Sequence, residues 1–127
     1  IVPGDYSFDD GFRGARKLFA LKDRPTAIFG SNDEIAAGVL AAAKAGGMDV
    51  PWDLSIAGFE DSPFSKQFWP ALTTAKQATE EIARHATLLL LATIEHNDDA
   101  PHGNKGFSPQ LVIRDSTARV RVPPSGI

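Results

Sequence analysis

Apolar and polar positions along this chain repeat with two periods, and the switches between them predict its elements. Over residues 8–21, Phe12, Ala15, Leu18 and Phe19 recur at three- and four-residue spacing, which gives one apolar helical stripe. Ser7 precedes the stripe as a candidate N-cap, with Asp9 and Asp10 in the first turn and Arg16 and Lys17 late, as the helix dipole favours. Pro25 closes this segment, because proline cannot continue a helix and disfavours helical backbone before it. Residues 26–30 are nearly all apolar, as expected of a strand buried on both faces. A second, Ala-rich helix is predicted over 32–45, with Ile35, Val39, Leu40 and Ala43 inward and Gly46-Gly47 as its left-handed stop. The next strand covers 54–59, and 60–70 reads as a loop with two prolines. A short strand over 72–76 follows, then the most regular helix, 79–95, with Ile82, Ala86, Leu89, Leu90 and Thr93 on one face. Residues 97–106 are a polar, turn-rich loop, 110–114 a last strand, and the chain from 119 a tail.

Strand and helix alternate through the first half, which predicts an α/β fold with a parallel sheet flanked by helices and short right-handed crossovers. Directly behind the first two strands stand two polar clusters, Ser31-Asn32-Asp33-Glu34 and Glu60-Asp61-Ser62. In an open α/β sheet, ligands bind in the crevice outside the carboxyl ends of the strands. Both clusters are expected there, side by side, as part of a small-molecule site.

Composition narrows this reading. A length of 127 residues is one domain or less. The formal net charge of −3 carries no electrostatic footprint for nucleic acid, and Lys and Arg are scattered. Without cysteine there is no disulfide framework and no thiolate metal site. No apolar run approaches the roughly 18 residues of a membrane span. Residues 1–5 look like a strand end entering a turn, and about four strands fall short of a complete binding protein, so part of the fold is expected to lie elsewhere.

The polar residues carry competing readings. Ser31-x-x-Glu34 fits a capping box ahead of an apolar helix, which accounts for those two residues. Asn32 offers both donors and acceptors at a strand's carboxyl end, whereas Asp33 serves the helix dipole or supports the site. Glu60 and Asp61 are adjacent, so their side chains diverge, and only one faces a ligand while the other orients the loop. That geometry suits poorly the opposed acid and base of a glycosidase, and an enzyme using Glu60 and Asp33 is the weakest reading. Tyr6 is the only tyrosine and either stacks on a ligand or staples a helix entrance. Trp52, Phe64, Phe68 and Trp69 are expected in a core or an interface. His85, His96 and His102 have no ligand-like spacing, so no metal and no cofactor is expected. No dinucleotide fingerprint, P-loop or nucleophile elbow is present, and the chain is expected not to be an enzyme.

Four stretches in order resemble the lactose/galactose-repressor family of bacterial transcription regulators. They are the segment from Pro25 to Gly38, the segment from Val50 to Asp61 (a "VPxDxSIxGFDD" pattern), the segment from Pro70 to Gln77 ("PPLTTVRQ") and the segment from Leu111 to Thr117 ("LVVRxST"). The resemblance implies a periplasmic-binding-protein-like fold of type I: two α/β subdomains with a ligand in the cleft between them. It assigns 1–74 to the carboxyl-terminal subdomain, 75–98 to a hinge crossing and a helix of the amino-terminal subdomain, 99–118 to a return loop and closing strand, and 119–127 to a tail. It implies ligand contacts at Tyr6, Asn32, Glu60, Gln77 and Thr79, with Asp33 and Asp61 in support. Glu60 stands where the family usually has Asp, and Thr79 where some members place an aromatic residue. The implied partners are a sugar or nucleoside-like effector, a second copy in a homodimer, and DNA only through a helix-turn-helix domain outside this chain, with no membrane and a cytoplasmic setting. An exported sugar-binding protein of a transporter shares the fold and is the alternative.

Overall fold

The computed structural model describes residues 1–95 and 104–120. The predicted loop over 97–106 and the tail from 119 therefore lie largely outside the described residues, as do His96 and His102. Two compact units are formed, one by residues 1–76 and 111–127 and the other by residues 77–110.

In the first unit, Ser7 caps helix α1 (Phe8–Phe19), its hydroxyl oxygen accepting from the Asp10 N–H at 3.2 Å. The helix ends two residues short of the sequence expectation, before the Lys22–Pro25 stretch. Strand β1 (Ala27–Phe29) leads to α2 (Asp33–Ala45), which ends as expected, with Gly47 at φ 71°. Strand β2 (Ser55–Glu60), a single 3-10 turn (Pro63–Lys66) and strand β3 (Thr73–Lys76) follow. With β4 (Gln110–Val112) the sheet order is β1-β2-β3-β4. The ladders β1–β2 and β2–β3 are both parallel, in the registers Phe29↔Ala57 and Glu60↔Lys76. The α/β class and the parallel sheet are thus as the sequence predicts.

The core lies between α2 and β2. Val39, Leu40, Ala42, Ala43, Leu54, Ile56 and Leu72 are buried there, with Phe12, Phe19 and Ile35 packed against them. Helix α2 is buried on more than one side because α1 crosses it closely. A Cβ built on Gly38 would stand 2.0 Å from the Phe8 carbonyl oxygen and 2.7 Å from the Phe12 nitrogen, so only glycine lets the two backbones approach this far. The small alanines of α2 follow from the same close packing. Ser116 closes the layer: its hydroxyl donates to the Ile56 carbonyl at 2.6 Å and accepts from the Thr73 N–H at 2.8 Å, and it is fully buried.

One packing expectation is corrected. Strand β1 is not buried on both faces: Phe29 is 63% exposed, because β1 is the outer strand of this sheet. Of the four aromatic residues expected in a core or an interface, Phe68 packs against the core, whereas Trp52, Phe64 and Trp69 are exposed on the surface of this chain. Helix α3 (Thr79–Ile94), in the second unit, has no buried residue, and its apolar face, with Ile82 and Leu90, is exposed. Of the described residues, no helix is long and apolar enough to cross a membrane.

Candidate functional site

The parallel register sets the site. Strand β1 runs through Gly30, whose N–H still bonds to the Ala57 carbonyl at 2.8 Å, into Ser31 and Asn32. Strand β2 ends at Glu60, and β3 ends beside it at Lys76. The two polar clusters therefore share one carboxyl edge on adjoining strands.

Asn32, not Ser31, is the N-cap of α2: its Oδ1 accepts from the Ile35 N–H at 2.7 Å. The sequence-predicted capping box is one residue out of step, because the extended chain continues to residue 32. Glu34 does not reach back to its own cap but accepts from the Phe8 N–H at 3.2 Å, joining α1 to α2. The Asn32 Nδ2 donates to the Tyr6 carbonyl at 3.2 Å. Asn32 is 6% exposed and keeps one N–H and one lone pair beyond these two bonds. Tyr6 itself is 62% exposed.

Asp33 occupies the first turn of α2, yet it does more than answer the helix dipole. It is 0% exposed. Its Oδ2 accepts from the Ser62 N–H at 2.7 Å and the Ser62 hydroxyl at 2.8 Å, and its Oδ1 accepts from the Thr74 hydroxyl at 2.5 Å. Gly58 makes room for it, since a Cβ there would stand 2.4 Å from Asp33 Oδ1. A carboxylate so enclosed does not face a substrate, which removes the Glu60–Asp33 acid/base pair.

Glu60 and Asp61 diverge as expected. Glu60 is exposed at the end of β2. Asp61 turns inward, where Arg114 Nη2 donates to its Oδ1 and both side chains are about nine-tenths buried. Arg114 Nη1 also donates to the Leu72 carbonyl at 2.7 Å and to Ser65 Oγ at 3.1 Å. The hydrogen bond from Arg114 holds the Asp61 carboxyl below its ordinary range, against the opposing effect of burial.

Gln77 is half-buried and Thr79, the first residue of α3, is exposed; both belong to the second unit. The first unit has a hollow of about 630 Å³ between α1 and the outer side of β1, and another of about 540 Å³ bordered by Trp52, Trp69 and Pro70. Neither is lined by Asn32 or Glu60. Their edge is open rather than enclosed by these two hollows. Among the described residues no three His, Cys, Asp or Glu side chains come together to hold a metal ion. Sequence reading missed Ser62, Ser65 and Thr74 as the partners that hold this edge, since lone hydroxyl residues carry no motif.

Residues 2–117 match the model of the periplasmic binding protein-like domain. Among curated proteins, the chain is 37% identical over 120 residues to the HTH-type transcriptional repressor PurR of Mannheimia succiniciproducens, covering 94% of this chain and 36% of that protein. It is 38% identical over 117 residues to the HTH-type transcriptional repressor CytR of Escherichia coli K12, covering 92% of this chain and 34% of the relative. The chain thus spans about a third of the length of these relatives. Among solved structures it is similar to a LacI family transcriptional regulator from Enterococcus faecium with bound ribose (TM-score 0.84, 27% identity, 94% of this chain and 44% of that one). It is also similar to the lac repressor dimer bound to operator and the anti-inducer ONPF (TM-score 0.83, 29% identity, 91% of this chain and 40% of that one).

Proposed function

Because this chain belongs to the periplasmic-binding-protein-like domain family, we propose that it is the carboxyl-terminal part of the effector-sensing core of a bacterial transcriptional repressor. Its effector is a small polar molecule, a sugar or a nucleoside. The observation that carries this reading is the shared carboxyl edge, where exposed Glu60 and Tyr6 flank the half-committed amide of Asn32. The Glu60 carboxylate accepts hydrogen bonds from ligand hydroxyl or N–H groups. Asn32 adds its remaining donor and acceptor, and the Tyr6 ring covers an apolar face, the usual division of labour in a small-molecule site. DNA is read by a helix-turn-helix domain outside this chain, in a cytoplasmic homodimer. Effector changes the DNA affinity because it binds one state of the regulator better than the other, with a coupling of about 1–3 kcal/mol.

Both curated relatives described above are transcriptional repressors, which supports this reading over that of an exported solute-binding protein. Calorimetric titration of the full regulator with D-ribose, sucrose and cytidine tests it. One of them is expected to bind, and Glu60→Ala is expected to weaken it about 10–100-fold, the worth of a hydrogen bond to a charged group. Unchanged affinity in that variant refutes the assignment.

A further inference from the structure

Three non-glycine residues among those described have positive φ: Tyr6 at 65°, Glu60 at 116° and Asp61 at 56°. All three stand at the carboxyl edge of the sheet. Side chains disfavour such backbone, which persists only where the surroundings over-determine it. The surroundings of the Glu60 turn are specific. The Asp61 N–H donates to Thr74 Oγ1 at 3.3 Å, and the Thr74 hydroxyl donates in turn to Asp33. The Ser62 N–H donates to Asp33 directly. Both consecutive amides after Glu60 are therefore tied, one through Thr74 and one without an intermediary, to the same carboxylate. Bulk solvent does not reach that carboxylate to compete for these bonds, since Asp33 is fully buried.

We propose that Asp33 is a positioning residue: through Ser62 and Thr74 its buried carboxylate fixes the strained backbone that presents the Glu60 carboxylate to the effector. The proposal rests on the reading of Glu60 as an effector contact. A carboxylate that served only the dipole of α2 needs proximity to the helix start, not burial or bonds to two other loops. Its residue type is also specific. Asn has the same shape, but one of its two terminal groups is a donor. With the amide oxygen kept toward Ser62, whose N–H can only donate, Thr74 Oγ1, which already accepts from Asp61 and donates to Asp33, would face a second donor, and the Ser62 N–H and hydroxyl would keep only a neutral acceptor in place of the carboxylate, roughly half as strong.

The test uses the full regulator with Asp33→Asn, Glu60→Ala and the double variant. Thr74→Val is added because it breaks the same chain while leaving the carboxylate in place. Amide exchange is read at Ser62 and Asp61, with Leu72 (whose N–H donates to the Ser65 carbonyl) as internal reference. Asp33→Asn is expected to speed exchange at Ser62 about tenfold or more, and Thr74→Val at Asp61, with Leu72 unchanged. Affinity for whichever of D-ribose, sucrose and cytidine binds the wild type is expected to fall about 5–30-fold in each. In the Glu60→Ala background, Asp33→Asn is expected to cost less than about twofold, because its effect passes through Glu60. An unchanged Ser62 amide overturns the proposal. So does an equal affinity loss with and without Glu60, which marks a merely structural role. If Glu60→Ala alone binds like the wild type, the effector reading itself fails, a result separate from either of these. If none of the three probes binds the wild type, the sugar-or-nucleoside reading and this proposal fall together.

Discussion

The pair Asp61–Arg114 yields a quantitative prediction. Replacing Asp61 by Asn keeps the shape of the side chain and removes its charge, leaving the Arg114 guanidinium about nine-tenths buried without a countercharge. Arg114 retains its bonds to the Leu72 carbonyl and Ser65 Oγ, so the loss belongs at the lower end of the range for breaking a buried pair, about 3 kcal/mol at pH 7. The pH dependence has a definite sign. Folding lowers the Asp61 carboxyl below its ordinary value of 3.8. The unfolded chain therefore binds the proton first as pH falls. The stabilisation is complete above about pH 5 and drains away as pH drops through 3.8 toward the lowered folded value. Urea denaturation of wild type and Asp61→Asn between pH 7 and pH 2.5 reads this directly. The gap between the two proteins is expected to be widest near neutrality and to narrow steadily below pH 4. A gap under about 0.5 kcal/mol at pH 7, or one that does not narrow on acidification, refutes the account of a buried, stabilising ion pair.

Two further perturbations test the packing. Ser116→Ala strips a partner from the buried Ile56 carbonyl and Thr73 N–H at once, and is expected to cost about 2–4 kcal/mol in chemical denaturation. Gly38→Ala drives a methyl group against the Phe8 carbonyl of α1 and is expected to cost about 1–3 kcal/mol, read as a lowered melting temperature.

Much of the fold was legible because periodicity reports local backbone directly. Helices over Phe8–Phe19 and Asp33–Ala45 and a strand over Ser55–Glu60 fall within a residue or two of the apolar pattern. What covers an element was less legible. The run containing Ile28 and Phe29 is apolar enough for a central strand, yet its place at the outside of the sheet is a tertiary fact. Helix α3 shows the same gap: amphipathicity tells that a face wants a partner, not where the partner is. At the site, the strand-end rule placed Asn32 and Glu60 on one edge correctly. The capping box misled by one residue: Ser31-x-x-Glu34 is the fuller motif on paper, yet Asn32 is as good an N-cap residue by itself and its Oδ1 accepts from the Ile35 N–H. The role of Asp33 was hidden for a plainer reason. Its partners lie 29 and 41 residues away in sequence, and Ser62 and Thr74 are ordinary hydroxyl residues with no spacing that links them to it.

The backbone at residues 60 and 61 has a consequence for any effort to evolve this protein in the laboratory. Glycine adopts these torsions at no steric cost, whereas Glu and Asp do not. Selection for heat tolerance alone favours Glu60→Gly, and a library screened only for survival at high temperature drifts toward losing the carboxylate. Hardiness and responsiveness pull in opposite directions at this one position, so both must be screened together.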